Sequence, residues 1–403
     1  MVNRSLLVAG LATVFGLSAP AAATSFSTVT LGQARDGLEM MRELNVITIG
    51  NLNSNSHVQG KAFVGGSLYG AASGYATTGA TGDSNATFGQ GNSNAGATAS
   101  SRPTLAVAGS TYTSFTLQDG QNGSGASQPK SVVVGKNLNY TNNVNPDNWS
   151  VKVGGNLAGF QNVNGGPSIT YGGSYGGSNT GNGRVAKDST IAAGGSADLG
   201  ASLASQAATM KTDLNSLSTV LASLTSNGTV ATNGSNITFD FSKVTSGYGA
   251  YTIDASTLFS YNGALDVILG TAGGSTEPVV INVTGSGQYV DSLNMNLADS
   301  VASEIIWNFV DATGLTINAN FTGSILAPNA TIVNSSNITG SVVANVLNQN
   351  AEVHLATYSG TDALVPTSTV GAVPEAATWA MMVVGFGLIG RVARSRRATT
   401  RIA

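Results

Sequence analysis

Two hydrophobic patterns share this chain. Short β-branched runs recur between Gly- and Asn-rich turns, and two stretches instead place apolar residues every three to four positions. Leu31, Ala34, Leu38, Met41 and Leu44 have helical spacing and predict a helix over 31–44. It should stop at Asn45, because Val46-Ile47-Thr48-Ile49 is β-branched and ends at Gly50. Two short strands then flank a polar loop within 51–68. Strand runs return at 132–138, 151–157 and 169–174, where Gly135, Gly154 and Gly172 stand 19 and 18 residues apart. Phe321-Thr322-Gly323-Ser324-Ile325-Leu326-Ala327 recurs as Ile338-Thr339-Gly340-Ser341-Val342-Val343-Ala344, 17 residues on. A period this short fits one turn of a three-faced coil, three strands of about 5 residues with tight turns.

The second helical stretch is longer. Leu199, Leu203, Met210, Leu214, Leu217, Leu221 and Leu224 form one apolar stripe, with Ala207 filling the gap. This predicts a helix over 197–225, capped by Ser196 and stopped at Asn227-Gly228. At 1.5 Å per residue it would be about 44 Å long and lie along about nine stacked coils. A coiled-coil dimer is the alternative, but the charge pairs that flank a zipper seam are missing. Strands resume at 237–241, 265–269, 279–283, 305–309 and 352–355. The 17-residue pair and the strand at 352–355 are expected to close the array. The chain therefore reads as mainly β: a right-handed β-solenoid over 24–360 with a long α-helix packed alongside, plus terminal signal and anchor helices. Residues 70–128, rich in Gly, Ser, Ala, Thr and Asn, read as a low-complexity insertion, or as irregular coils around a strand at 105–107. Residues 361–372 read as a linker.

Composition supports a stacked array over disorder. Charged residues are 9% and hydrophobic ones 41%, with 52 Gly and no Cys. Small polar residues suit tight turns and can ladder between coils. Residues 24–372 hold 11 Lys and Arg against 19 Asp and Glu, a net charge of −8. An acidic body argues against nucleic acid.

Both ends carry targeting signals. Arg4, the apolar run from Leu6 to Leu17 and the small residues Ala21 to Ala23 read as a Sec signal peptide over 1–23, cleaved before Thr24. Near the other end, Ala376 to Gly390 is an uncharged run of 15 residues, followed by Arg391, Arg394, Arg396, Arg397 and Arg401. It falls short of the roughly 20 residues that span a bilayer, and Arg391 can extend it by snorkelling. Trp379 stands at an interfacial position and the arginines match the positive-inside rule. The body should thus be exported and held transiently at the inner membrane by its C-terminal helix.

Val373, Pro374, Glu375, Trp379, Gly385, Gly387, Arg394, Arg396 and Arg397 resemble the PEP-CTERM sorting signal, in its variant with Trp-Ala-Met-Met and Gly-Phe-Gly. Ala376 stands where that motif has its second Pro. The resemblance implies recognition by an exosortase, cleavage near the motif and delivery to the surface or exterior of a Gram-negative bacterium that makes exopolysaccharide. The body resembles the choice-of-anchor A domain through the segments 45–51, 56–62, 64–68, 306–309 and 323–330. A weaker likeness is to ice-binding β-solenoid proteins, in which a long helix lies beside the coils.

Catalytic constellations are scarce. His57 and His354 lie far apart with no metal-ligand spacing, so no metal, cofactor or catalytic residue is expected. Gly172-Gly173-Ser174-Tyr175-Gly176 has the letters of a nucleophile elbow, but a loop follows it where that motif needs a helix. Asp240, Asp254, Asp266, Asp291, Asp299 and Asp311 read as turn-capping acids. Thr111, Thr113, Thr331 and Thr339 form no traceable ladder of the kind ice binding needs. Tyr69, Tyr140, Tyr171 and Tyr175 are the aromatic candidates for carbohydrate contact. The sequence thus favours a non-catalytic matrix or surface adhesive protein associated with exopolysaccharide. An ice- or mineral-binding protein and a carbohydrate-active β-helix enzyme are the alternatives.

Overall fold

The structure is a computed structural model. It describes residues 26–70, 87–88, 100–113, 115–117, 131–144, 150–161, 168–177, 184–245, 247–272, 275–295 and 297–366. The signal-peptide residues Ala21 and Ala23 and the sorting residues of 373–397 lie outside them.

Helix α1 (Thr28–Glu43) starts where the Ser27 hydroxyl accepts from the Thr30 amide, and Leu44 ends it with extended backbone. The β-branched run after Asn45 then enters the first strand, Val46–Thr48. That strand belongs to a long parallel ladder ordered Val185–Lys187, Ser168–Tyr171, Ser150–Val153, Ser131–Val134, Leu105–Val107, Ala62–Val64, Val46–Thr48, Val342–Gln349, Ser324–Asn334, Ile305–Phe309, Val279–Thr284 and Gly249–Asp254. The fold is mainly β, with parallel sheets and few helices. The glycine steps seen in the sequence are real rungs: the amides of Gly154 and Gly172 bond to the carbonyls of Val134 and Val153.

The rung order is not the chain order. The chain enters at the middle and proceeds outward to Val185–Lys187. It then crosses to the opposite end and returns inward, so that Val46 pairs with Val342. The 17-residue repeat and the strand near 353 therefore do not close one end of the array. Val353 lies between Ile338 and Val58, inside it. Asn45 secures this seam. Fully buried, it donates from Nδ2 to the carbonyls of Gly340 (2.7 Å) and His354 (3.0 Å) and accepts from the Gly60 amide (3.0 Å). Beside it the Ser341 hydroxyl donates to the carbonyls of Met41 and Leu44. The repeated glycines have positive φ, +107° at Gly323 and +145° at Gly340, and a Cβ on Gly340 would lie 2.5 Å from the Gly323 carbonyl oxygen. This stacked turn requires glycine twice.

Helix α2 (Leu199–Ala222) is the crossover. It is shorter than the sequence suggests, with Asp198 as its N-cap instead of Ser196, because the Asp198 carboxylate accepts from the Ala201 and Gly194 amides. Gly200 lies against Gly135, and the Leu221 carbonyl accepts from Asn282 Nδ2. The 21 residues between those contacts span about 32 Å. The eight rungs from Ser131–Val134 to Val279–Thr284 span about 34 Å, so the helix matches the distance it must travel. Leu203, Met210, Leu214, Leu217 and Leu221 are buried as the stripe demands. α1 packs on α2 at Gly37, where a Cβ would stand 2.8 Å from the Asp213 carbonyl oxygen.

Two further ladders complete each coil. One places Tyr289, Leu315, Ile332, Leu347, Leu52, Leu68, Thr111, Leu138, Leu157 and Tyr175 in one inward row. The other runs through Leu138–Val144, Thr116–Leu117, Thr87–Phe88, His57–Val58, Val353–His354, Ile338–Thr339 and Phe321–Thr322. Its direction continues through Asn294–Met295 and Ala264–Ile268 to Asn236–Asp240, ending in the antiparallel strand Thr229–Asn233. The stretch 70–128 is thus no single insertion, since its described strands are rungs in register.

The expected linker also needs correction. Residues 361–366 dock on α1: Arg42 reaches Asp362 Oδ1 (2.7 Å) and the Gly360 carbonyl (2.7 Å), Arg35 donates to the Pro366 carbonyl, and Leu364 and Val365 are buried.

Asp291 gives the fold a pH signature. It is fully buried; Oδ1 accepts from the Leu293 amide and Oδ2 has no partner among the described residues. Burial pushes its carboxyl up to about 7, against the opposing effect of that amide. A raised carboxyl stabilises the fold while protonated and loses that contribution as pH climbs from about 4 to about 7. The loss is about 4 kcal/mol at most. Urea melts of the wild type and Asp291→Asn should therefore differ most at pH 8, with the variant more stable, and converge by pH 4. A difference independent of pH would overturn this assignment.

Candidate functional site

The inward row beginning at Tyr289 has an outward companion one residue later. Val290, Thr316, Val333, Asn348, Asn53 and Tyr69 stand side by side on successive rungs. The bridges through Thr111, Leu138 and Leu157 extend this row to Tyr112, Asn139 and Ala158. Strand alternation forces the arrangement, because residues flanking a buried position face out. No member is charged. Val290 is 54% and Tyr112 43% exposed. With the rung of Tyr175 the face has ten rungs, about 43 Å in length. Among the described residues α1 and α2 pack on each other and α2 on strands of the first ladder, leaving this face uncovered.

Polar ladders stiffen the face. Asn53 Nδ2 donates to Asn348 Oδ1 (2.6 Å), and Asn139 Nδ2 to the Thr111 carbonyl (2.9 Å). At the corner leading into it, Asn51 accepts from the Ser67 amide, Ser67 from Ser110, Ser110 from Asn137, Asn137 from Asn156 and Asn156 from Ser174. Each side chain satisfies the amide of the next coil. The Ser174 hydroxyl donates to Asn156 Oδ1 (3.0 Å), so the Gly-x-Ser-x-Gly stretch is one of these corners. Tyr69 and Tyr112 stack at 5.0 Å between centroids and 8° between planes.

The structure sorts the other candidates. Tyr171 and Tyr175 lie 5.7 Å apart and pack at the margin of the core, away from the outward row. The side chain of Tyr140 lies outside the described residues. Thr111 and Thr113 are buried, while Thr331 and Thr339 are half-buried on different ladders, so no threonine row forms. Asp240, Asp254 and Asp266 accept from the amides of Ser242, Ser256 and Val267, and Asp299 opens the short helix Asp299–Ala302. Hydrogen bonds hold the Asp240 and Asp254 carboxyls below their usual range.

Sequence distance hid one cluster. His57 and His354 meet across the seam on either side of Glu352, which is 3.0 Å from His354 Nε2 and 3.6 Å from His57 Nδ1. Among the described residues no group of three or more His, Asp or Glu is arranged to hold a metal ion. Lys61, by contrast, is buried: Nζ donates to the carbonyls of Ser100 and Arg102, and burial lowers its pKa to about 8 against the pull of Glu43. Tyr112 was the residue sequence reasoning missed. Its signal was an offset shared with Tyr69, one residue after an inward rung position.

A family model described as "Putative Ice-binding-like adhesive domain" matches residues 37–355. No curated protein matches. Among solved structures, an ice-binding protein from an Antarctic bacterium of the Flavobacteriaceae is 16% identical over 80% of this chain and 85% of its own, with a TM-score of 0.23. That likeness is too low to carry an argument. No helix among the described residues is long and apolar enough to cross a membrane.

Proposed function

The chain belongs to the ice-binding-like adhesive domain family, and from that membership we propose a non-catalytic adhesive β-solenoid of the cell surface or extracellular matrix. Its uncovered face engages a large uncharged surface, with exopolysaccharide as the matching polymer. The observation that carries the reading is a row of Val, Thr, Asn, Tyr and Ala across successive rungs without one charge. An uncharged rigid face loses little solvation on contact and orders few side chains, and weak contacts repeated along a polymer add up. The terminal segments support export by Sec and an exosortase-processed PEP-CTERM tail, and the body segments 45–51, 56–62, 64–68, 306–309 and 323–330 support the choice-of-anchor A architecture.

The experiment is retention of the full-length protein on polysaccharide from its own host. Binding should change less than about twofold between roughly 50 and 500 mM salt, because the face offers no charge to screen. Val333→Arg should weaken it about tenfold, or about 1.4 kcal/mol. No retention, or retention indifferent to Val333→Arg, would sink the reading. Family membership makes ice the second surface to test, although no threonine row forms among the described residues. Thermal hysteresis by the full-length protein, lost in Val333→Arg, would establish that instead.

A further inference from the structure

The two ends of the stack are finished differently. At one end the outer strand Val185–Lys187 carries Lys187 and follows Arg184, charges that discourage another strand from adding. At the other end the first ladder is sealed by its own chain. The Ser226 hydroxyl accepts from the Thr252 amide (3.0 Å), Asn227 Oδ1 accepts from the Ala250 amide (2.8 Å), and the Asn227 amide donates to the Ala250 carbonyl (2.9 Å). Next to that seal lies Thr229–Asn233. It pairs with Asn236–Asp240 on one side, and no other described strand pairs with it.

This strand has none of the usual protection. Thr229-Val230-Ala231-Thr232-Asn233 contains no charge and no proline, and its ladder runs without a register shift. Asn233 and Asn236 close a two-residue hairpin over Gly234 (φ +59°) and Ser235. The closing pair of such a hairpin exchanges both hydrogen bonds, and bonded pairs alternate along the ladder. Asn233, Ala231 and Thr229 therefore bond inward, and the amides and carbonyls of Val230 and Thr232 point away from the sheet.

We propose that Thr229–Asn233 is a self-pairing edge through which two copies of this chain join end to end. Antiparallel pairing about Ala231 places Val230 opposite Thr232 and Thr229 opposite Asn233, with no charge to oppose it. Val230 and Thr232 of each copy exchange both backbone bonds with Thr232 and Val230 of the other. The symmetry is twofold and closes at a dimer. A foreign strand would need side-chain pockets for specificity. Here Thr229, Ala231, Thr232 and Asn233 are small and exposed, and only Val230 packs inward. Five residues a side bury less than the ~1,200–2,000 Å² of a stable interface. The contact is weak in dilute solution and gains from crowding on a surface. It does not depend on what the uncovered face binds.

The absence of cysteine makes the test clean. Ala231 would face its own twin at a non-hydrogen-bonded position, where Cα atoms approach to about 4.5 Å, within disulfide range. Full-length Ala231→Cys, oxidised with copper phenanthroline, should form a disulfide dimer at least about tenfold faster than full-length Ala186→Cys, whose thiol lies on the charged end strand. Adding Thr232→Pro or Thr232→Lys to Ala231→Cys should slow dimer formation to the Ala186→Cys rate, with the circular dichroism spectrum unchanged. Equal rates at the two ends, no dimer at Ala231→Cys, or indifference to both Thr232 changes would each overturn the proposal.

Discussion

Trp307→Ala is expected to remove about 3–5 kcal/mol of unfolding free energy, the range for emptying a large aromatic site in a packed core. Trp307 is fully buried on the rung Ile305–Phe309, with Phe239 at 5.8 Å and Phe321 at 5.6 Å, both edge-on. Its Nε1 donates to the Thr322 carbonyl (2.9 Å). A Cβ on Gly323 would lie 2.7 Å from that nitrogen, so the ring and the positive-φ turn occupy a space shaped for both. Trp307→Phe keeps much of the packing but loses the hydrogen bond, and should cost about 1–2 kcal/mol. Urea titrations monitored through α2 ellipticity check both values. Equal losses for the two variants would mean that the hydrogen bond, not the ring volume, holds this site.

Asn45→Ala should be nearly as severe, about 3–5 kcal/mol, because it strands the buried Gly60 amide and Gly340 carbonyl and leaves the His354 carbonyl only its long bond from the Gly340 amide (3.3 Å). The Gly60 amide and the carbonyls of Gly340 and His354 all lose the partner that joins the first coil to the last. Asn45→Asp should be worse at pH 8 than Asn45→Ala. It keeps the acceptor for Gly60 but aims a negative oxygen at two carbonyls. The damage should be local in kind, because stability in a stack is carried between neighbouring rungs. Hydrogen exchange would then accelerate first at the amides of 46–48 and 342–344 and last near 132–134. Uniform acceleration across all rungs would contradict a seam-specific role.

The rungs were legible in the sequence, but their neighbours were not. Short triplets of mostly β-branched residues before glycine at 135, 154 and 172 announced strands, and the leucine spacing announced α2, because both signals are local. Pairing of Val46 with Val342 is set by the crossover through α2, and no periodic pattern records which end a helix travels toward. Buried Asn282 and Asn308 show the same limit. In sequence they interrupt apolar strands. In the fold Asn308 Nδ2 donates to Asn282 Oδ1 and to the Ser218 carbonyl, Ser218 donates back, and the rungs are tied to the underside of α2. Of the face, Tyr69 was visible as an aromatic beside a turn. Tyr112 was not, since Thr111 follows a glycine-rich stretch whose register is set only by the neighbouring coils.

A chain that starts at the middle of its own stack must wait to finish it. The strand Val46–Thr48 can pair with Ala62–Val64 almost at once, but its other side is completed by residues that follow nearly 300 positions later. If delivery to the folding compartment keeps pace with synthesis at about 5–20 residues per second, that interval is roughly 15–60 s. Throughout it the newborn protein holds an open, uncharged Val-Ile-Thr edge, and any extended segment nearby competes for it. The seam at Asn45 therefore marks the last strand pairing the chain can complete as well as a place in the architecture.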